Sequence, residues 1–332
     1  MNSLLLKNFL PPFPTLRRSM YHSPCSLSQE IIEHILHHLD ITDLFAFGAC
    51  CRKFRESRDS YLYHRLLRSF ALRNLSLPSF LTALHQTGAI IGGSLVLSLL
   101  FPESSLTWEP TSLDIFVSCQ HSPAFHAFLL DSGSNEHQII HAPIPSSMRS
   151  HISNLRIYSF EYCTIKLFTT LSAYAVSSLV HAPLTCLMNF ITASSIYVMY
   201  PQLTLRSLCL INPFLAYRCS FKRDVLLFLS KHNDHGFTAC QCSSLHHFHS
   251  PCKTSIRHAL DSWTLRFTLP NFLSTAPLIA TPPFPAGERH IIWKLGGCGC
   301  SKQNRLVWPY VRTRYNPVSI VALSLPSPLL TP

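Results

Sequence analysis

The 332-residue sequence is poor in charge, and acids are its scarcer charged type. Charged residues make up 13% of the chain, with 16 acids against 27 bases, which gives a net charge of +11. A basic excess favours nucleic-acid binding only where the bases share one surface. The densest group here is Arg52, Lys53, Arg55 and Arg58, and the other bases are scattered. We therefore do not expect a nucleic-acid partner.

The cysteines lack the spacing of a disulfide framework or of a zinc finger. Their number is 13, which is odd, and no Cys-x-x-Cys pair occurs. Reduced thiols in a cytoplasmic or nuclear protein are the simpler interpretation. Potential zinc ligands crowd the segment "CQCSSLHHFHSPC" from Cys240 to Cys252, but the spacing favours a loop rich in His and Cys. We predict neither a metal nor a cofactor.

No charged residue lies between Lys166 and Arg206, and "LSAYAVSSLVHAPLTCLMNFI" within this interval is long enough to cross a bilayer. His181, Pro183 and Asn189 interrupt the segment, and no basic cluster flanks it closely. A buried core segment is therefore predicted in place of a membrane span.

Composition divides the chain into four segments. Residues 1–23 are predicted to be a disordered leader, because their prolines break any amphipathic helix. Residues 24–70 form a helical module, residues 71–270 an α+β domain, and residues 271–332 a proline-rich C-terminal segment. The 47% hydrophobic content is enough for a substantial core.

The helical module is predicted to contain three short helices. The first places on one face Ile31, Ile32, Ile35, Leu36 and Leu39. Ser26 and Gln29 are spaced like a capping box at its start. Asp40 and Asp43 suit the start of a second helix, whose apolar repeat is Leu44, Phe47, Cys51 and Phe54. A third helix is predicted over residues 62–72.

Helices and strands alternate after Ser79, which is the predicted N-cap of a helix that Gly88 ends. "AIIGG" is then typical of a strand, "SLVLSLLF" of a helix, "SLDIFVS" of a strand and "SPAFHAFLLDSG" of a helix. "NLRIYSF" and "CTIKLFT" follow as strands. This order predicts an α+β fold with a mixed sheet.

The segment "LSQEIIEHILHHLDITDLFAFGACCRKFRE" resembles the F-box. The positions in register are Leu27, Glu30, Ile31, Ile35, Leu36, Leu39, Asp43, Leu44, Cys51 and Phe54. Ser28 stands where that family has proline. The resemblance implies binding to a Skp-type adaptor and, through it, to a cullin ubiquitin ligase. It assigns the adaptor contacts to Leu27, Ser28, Ile31, Ile35, Leu39, Leu44, Cys51 and Phe54.

The second domain resembles the start of a nucleotidyltransferase-like domain, as found in fungal proteins that also carry an F-box-like segment. The motif consists of Gly92, Gly93 and Ser94 with Asp114 on a following strand. The two glycines are expected to form a tight turn, with Ser94 capping the next helix and Asp114 facing it. Active members carry a second acid at the position of Ser112, and paired acids are needed to hold two metal ions.

We therefore expect a degenerate site with no catalytic residue. The predicted function is a protein-interaction adaptor whose second domain recruits a protein target of unknown identity. The alternative is a nucleotide-binding protein or a residual nucleotidyltransferase that uses Ser94 and Asp114.

Overall fold

A computed structural model describes residues 27–71, 74–138, 148–160, 163–212, 223–240, 257–269, 291–295, 297–298, 306–307 and 310–313. The predicted leader lies outside these residues, as do Ser26 and most of the segment 271–332.

Three helices form the N-terminal module: α1 (Gln29–His37), α2 (Ile41–Cys50) and α3 (Arg52–Ala71). Asp40 is the N-cap of α2, and its carboxylate accepts a hydrogen bond from the Asp43 amide at 2.9 Å, as the sequence predicts. Helix α1 begins after Ser28, so the predicted capping box is not its N-terminus.

The division between α2 and α3 differs from the prediction. The apolar spacing runs unbroken from Leu44 to Phe54, yet the backbone is extended at Cys51, with φ −159° and ψ 169°. The Cys51 Sγ accepts a hydrogen bond from the Phe54 amide at 3.5 Å, which caps the start of α3. Helix α3 is consequently a single helix of 20 residues, longer than the predicted third helix.

Further helices and strands alternate along the second domain. The helices are α4 (Leu77–Thr87), α5 (Gly93–Leu100), α6 (Ser122–Asp131), α7 (Val176–Leu179), α8 (Pro201–Thr204) and α9 (Arg223–Asp234). The first strands are β1 (Ile90–Gly92), β2 (Ser112–Ser118), β3 (Asn135–Gln138), β4 (Ile152–Phe160), β5 (Cys163–Thr170), β6 (Phe190–Ile191), β7 (Ser195–Val198) and β8 (Leu208–Leu210). The others are β9 (Thr238–Cys240), β10 (Arg257–His258), β11 (Leu265–Thr268), β12 (Ile291–Lys294), β13 (Gly297–Cys298), β14 (Leu306–Val307) and β15 (Tyr310–Thr313). Short 3-10 helices cover Glu103–Ser105, Arg149–His151 and Thr185–Met188.

A mixed eight-stranded sheet organises the second domain, in the order β11-β7-β6-β1-β2-β5-β4-β3. Strands β2 and β5 are parallel, and the other neighbours in this sheet are antiparallel. The predicted α+β class with a mixed sheet is confirmed. Helix α4 begins after Ser76, not after Ser79, because Pro78 fits the first turn of a helix.

The uncharged segment near residue 180 lies inside the protein. Helix α7 is buried, as are the 3-10 helix Thr185–Met188 and strand β6. This confirms the prediction of a core segment. Within the described part of the chain, no helix is long and apolar enough to cross a membrane.

The boundary predicted at residue 270 does not coincide with a break in packing. Strand β12 pairs with β10 and β15, and the Trp293 side chain is buried in the same core as the large sheet. Its indole N–H donates to the Tyr200 hydroxyl at 3.2 Å, and the buried Arg257 guanidinium lies 4.7 Å from the Tyr200 ring. Strand β12 of the C-terminal segment therefore packs as part of the second domain.

A buried arginine joins the two domains. Arg65 on α3 is 6% exposed, and its Nη2 donates to the carbonyl oxygens of Ser98 at 2.6 Å and Phe101 at 3.3 Å. These two carbonyls lie at the C-terminal end of α5, where helix carbonyls lack partners within the helix. The F-box-like module therefore stabilises the end of a helix of the sheet domain.

The charge of Arg65 is balanced by Glu103. This carboxylate also forms an ion pair with Arg68, lies 3.5 Å from the His37 Nδ1 atom, and accepts a hydrogen bond from the Tyr61 hydroxyl at 3.1 Å. Partial burial alone would raise the pKa of Glu103, but Arg65, Arg68 and Tyr61 together outweigh it and lower that pKa. Burial raises the pKa of Tyr61 to about 12, so its hydroxyl remains a donor at neutral pH.

Replacing Glu103 by glutamine should lower the free energy of unfolding by about 2 kcal/mol at pH 7, because charge-assisted hydrogen bonds are lost. A carboxyl whose folded-state pKa is lowered stabilises the protein above its unfolded pKa of about 4.3. The difference between wild type and Glu103→Gln should therefore be constant above about pH 5 and shrink as the pH falls through the lower folded-state pKa.

Urea denaturation across this pH range measures the effect. Glu56→Gln is the matched control, since Glu56 forms a solvent-exposed pair with Arg52 that should contribute much less to stability. Equal losses in the two variants would contradict the role given to Glu103.

Candidate functional site

Helix α1 carries two apolar stripes, only one of which packs on the protein itself. Ile32 and Leu36 are fully buried, whereas Ile31 is 50% exposed and Ile35 is half-buried. The sequence predicts one face for all four residues, but the structure separates them. The outer pair, Ile31 and Ile35, is four residues apart and therefore adjacent on the helix surface.

The other predicted adaptor contacts fall into two groups. Ser28 is exposed, and partial exposure is shared by Leu27, Leu39 and Cys51. Leu44 and Phe54, in contrast, are buried in the protein's own core. The surface open to a partner therefore excludes these two side chains.

The Cys-x-x-aromatic spacing of the first domain, from Cys51 to Phe54, has an internal structural role that the spacing alone does not predict. Cys51 caps α3, and the Phe54 ring stacks on that of Phe47 at 4.1 Å. The Lys53 ammonium donates to the Leu27 carbonyl oxygen at 2.6 Å, which holds the start of the domain against α3. These contacts link residues on both sides of the Cys51 turn.

The Gly92–Gly93 turn joins β1 to α5, as the sequence predicts, and each glycine is required by a different neighbour. A Cβ on Gly92 would lie 2.8 Å from the Phe116 ring. A Cβ on Gly93 would lie 2.5 Å from the Asp114 carboxylate, and Gly93 has φ +72°, a conformation that favours glycine. The turn therefore lets the helix approach β2 closely.

Asp114 faces the N-terminus of α5, opposite Gly92 in the antiparallel pair of β1 and β2. Ser94 is buried in the first turn, but Gly92 occupies the N-cap position and makes no side-chain cap bond. The predicted capping role of Ser94 is therefore wrong. The reason is the position of the helix start: α5 begins at Gly93, so Ser94 lies inside its first turn and not at the N-cap.

Polar and cationic side chains of the chain surround the Asp114 carboxylate. The Ser112 hydroxyl donates to Asp114 Oδ1 at 3.3 Å, so the residue that replaces the first acid is a neutral donor. Lys166 is the partner of Asp114 on the parallel strand β5. Lys231 on α9 is also within electrostatic reach: partial burial lowers the pKa of its ammonium, Asp114 opposes this shift and Lys166 adds to it.

This arrangement brings one carboxylate together with two ammonium groups and a helix N-terminus. A divalent cation prefers several oxygen ligands and is repelled by neighbouring ammonium groups. Among the described residues, no group of three or more His, Cys, Asp or Glu side chains is placed to hold a metal ion. The segment Cys240–Cys252 lies outside the described residues except for Cys240.

Gly93→Ala should lower the free energy of unfolding by about 3 kcal/mol, because it combines a strained backbone with a clash against Asp114. Gly133→Ala is the control: Gly133 has a similar φ of +83° but nothing within 4 Å of its Cβ position, so the loss should be about 1 kcal/mol. In an Asp114→Ala background, the additional loss of stability at Gly93 compared with Gly133 should largely disappear. An excess that persists in that double-mutant cycle would contradict the proposed contact.

Comparison with known proteins identifies the first domain. The F-box domain model matches residues 24–65, which contain α1, α2 and most of α3. No curated protein and no solved structure matches the chain. The match covers the segment whose residues resemble that family, and it ends at Arg65, one of the residues that contact the second domain. Residues 24–65 are thus an F-box domain.

Proposed function

We propose that this protein is a substrate-recruiting subunit of a cullin ubiquitin ligase. An F-box domain implies an adaptor role in such ligases, and here residues 24–65 bind a Skp-type adaptor. The mixed-sheet domain recruits a protein target. The observation that carries the proposal is the outer stripe of α1, Ile31 and Ile35, within the matched domain.

The outer stripe suits a protein partner because its side chains are aliphatic and adjacent. A branched aliphatic side chain gains about 1.5–3 kcal/mol when it is fully removed from water. Ile31 has half of its surface available for this gain, and Leu27 and Leu39 extend the apolar surface at the two ends of α1. Recognition of this kind places helix side chains into a groove of the partner.

Ile31→Lys and Ile35→Lys should each weaken adaptor binding at least 100-fold, because a lysine would bring an unpaired charge into a dry contact. Titration of the purified full-length protein with a Skp-type adaptor, by calorimetry, measures the change. Leu227→Lys is the matched control, since Leu227 on α9 is 60% exposed and also aliphatic. Unchanged affinity in both α1 variants, with folding intact by circular dichroism, would refute the proposal.

Ser28→Pro should tighten adaptor binding. Ser28 already has φ −65° and ψ 159°, which are the angles of an unstrained proline. The substitution therefore preserves the backbone and restores the residue usual in the family, and it should not reduce stability. Ser76→Pro, at a second helix N-cap with φ −72°, is the control for a general effect of proline. Equal binding by Ser28→Pro would show that position 28 does not contribute to affinity, and weaker binding would show that proline is unfavourable there; either result contradicts the prediction.

The proposal assigns the second domain a nucleotidyltransferase-like arrangement without its chemistry. The Gly92–Gly93 turn supports the arrangement, although packing alone explains both glycines. The environment of Asp114 supports the absence of the chemistry. Ser112 supplies a hydroxyl in place of an acid, and Lys166 supplies a cation on the adjacent strand. Phosphoryl transfer needs metal ions that neutralise charge on the attacking and leaving oxygens. One carboxylate beside two ammonium groups is a poor ligand set for them.

Wild-type protein should therefore incorporate no labelled nucleotide from any nucleoside triphosphate, with magnesium or with manganese. The measurement is transfer of a labelled nucleoside monophosphate to protein, nucleic acid or small-molecule acceptors. The alternative, a residual enzyme using Ser94 and Asp114, predicts incorporation that Asp114→Asn abolishes. That result would overturn the non-catalytic assignment while leaving the adaptor proposal to its own test.

A further inference from the structure

Strand β11 lies at one end of the eight-stranded sheet, and its outer edge has no neighbour among the described residues. On the inner side it pairs with β7 in an antiparallel register. The Leu269 amide, one residue past the strand, donates to the Ser194 carbonyl oxygen at 2.8 Å. Backbone groups point toward and away from a partner strand alternately, so those of Phe267 also point at β7. The N–H and C=O groups of Arg266 and Thr268 consequently point outward.

The outer side of β11 lacks the features that usually prevent strand pairing. Proteins protect an edge strand with prolines, bulges or several charged side chains. Strand β11 contains no proline and one charged residue, Arg266, and its register with β7 has no bulge. Within the described part of the chain, no hydrogen bond reaches the backbone of Arg266 or Thr268 from the outer side. The strand can therefore accept another strand on this side.

Two apolar side chains project into the solvent just before β11. Trp263 is 45% exposed and Leu260 is 41% exposed. Tryptophan is on average a highly buried residue, and it is enriched among the side chains that contribute most to protein interfaces. The chain limits the separation of the Trp263 and Arg266 Cα atoms to about 11 Å or less. We refer to Leu260, Trp263, Arg266 and Thr268 together as the β11 edge.

The loop that carries Trp263 is held in one conformation by Asp261. The Asp261 carboxylate accepts hydrogen bonds from the Trp263 amide at 3.0 Å and from the Thr264 hydroxyl at 3.1 Å. The same carboxylate forms an ion pair with the buried Arg257, whose guanidinium also donates to the Met199 carbonyl oxygen at 2.8 Å. A side chain on a pre-organised loop loses less conformational entropy when a partner binds. Trp263 is therefore suited to be a binding anchor.

Arg266 determines which kind of strand the edge favours. Its guanidinium is exposed, its Nε donates to the Ser195 hydroxyl at 3.1 Å, and the group lies 5.6 Å from the Tyr197 ring. Among the described residues, Arg266 forms no ion pair. A second copy of this chain would bring a net charge of +11 with it, whereas an acidic segment is attracted to an uncompensated cation. The occupant that charge favours is therefore an acidic strand of another protein.

We infer that the β11 edge binds an extended segment of the target protein, which pairs with Arg266 and Thr268 as an additional strand of the sheet. The segment places an acidic side chain beside Arg266 and an apolar side chain against Trp263 and Leu260. In strand addition of this kind, backbone hydrogen bonds provide affinity and alternate side chains provide specificity. This role presupposes the proposed function, because the β11 edge is the surface by which the second domain recruits its target.

Amide hydrogen exchange of the full-length protein, resolved by NMR, tests whether the edge is open. The amides of Arg266 and Thr268 should exchange at least about 100-fold faster than that of Phe267, which is bonded to β7. Similar protection of all three amides would show that another part of this chain or a second copy covers the edge. That result would overturn the inference.

The probe for binding is a phage-displayed library of random linear peptides, selected on the same protein. The selected peptides should combine an acidic residue with aliphatic or aromatic residues. At saturating concentration, the synthetic peptides should slow the exchange of the Arg266 and Thr268 amides at least about tenfold. A selection that yields no peptide with this effect contradicts strand addition at β11.

Two substitutions test the contacts of a selected peptide. Trp263→Ala should weaken its binding at least about tenfold, and alanine keeps the amide that donates to Asp261. Thr268→Pro should abolish binding because proline has no N–H, and an edge strand tolerates proline where the amide points outward. Leu171→Ala is the control, because Leu171 is 59% exposed and follows β5, which β7, β6, β1 and β2 separate from β11. Unchanged peptide affinity in both β11 variants, with circular dichroism intact, refutes the inference.

Adaptor titrations of the same proteins separate this inference from the proposed function. Both β11 variants should bind a Skp-type adaptor with the affinity of the wild type, since the outer stripe of α1 is unchanged. A wild-type protein that binds the selected peptides without binding the adaptor would refute the ligase role and support the β11 edge. Adaptor binding without peptide binding would refute the β11 edge and leave the ligase role.

Discussion

The contact on which the arrangement of this protein depends is the insertion of Arg65 beneath the end of α5. A buried guanidinium is costly unless its donors and its charge are satisfied. Here the Ser98 and Phe101 carbonyls accept hydrogen bonds from Nη2 and Glu103 balances the charge, while Nη1 is buried without a hydrogen-bond partner among the described residues. The same carbonyls would otherwise be unpaired at a helix end. Each domain therefore supplies what the other lacks, and separating them would leave unpaired polar groups on both.

A second contact fixes the rotation of the F-box domain about this point. The Phe45 ring on α2 lies 4.7 Å from the ring of Phe267 on β11, the edge strand of the large sheet. The Arg58 guanidinium covers Phe45 at 4.3 Å. Two contacts at different helices leave little freedom for one domain to turn against the other. On our proposal this matters, because a ligase subunit must hold the adaptor and the target at a defined separation. The outer stripe of α1 therefore belongs to a domain that is held in place against the large sheet.

Local sequence signals predicted the elements that are stabilised locally. The alternation in "SLDIFVS" gives β2 at Ser112–Ser118, and Gly88 ends α4 with φ 61°. The break at Cys51 was missed because the apolar spacing continues across it, and only the sulfur cap reveals the new helix. The two stripes of α1 could not be separated either, since periodicity identifies apolar residues without saying which of them the chain itself covers.

The features of the structure that the sequence did not predict depend on contacts between residues distant in the chain. Lys231 lies 117 positions after Asp114 (231 − 114), and no local pattern connects them. Likewise Glu103 begins a short 3-10 helix whose composition does not predict a contact with Arg65, Arg68 or Tyr61. The environment of a polar group depends on the packing of elements distant in sequence, so motif spacing predicted the Asp114 turn but not the ammonium groups beside it.

On our proposal, the Asp114 turn is a motif that has kept its structure and lost its chemistry. Gly92 and Gly93 are held by the Phe116 ring and by the Asp114 carboxylate, so packing requires both glycines whether or not a ligand binds. Asp114 in turn faces a helix N-terminus, has Lys166 as its partner on β5 and lies within electrostatic reach of Lys231. Packing does not constrain Ser112 in the same way. Its hydroxyl still donates a hydrogen bond to Asp114 in place of the acid. On our proposal, loss of the acid pair therefore removes the metal chemistry while every remaining part of the motif keeps a structural reason to persist.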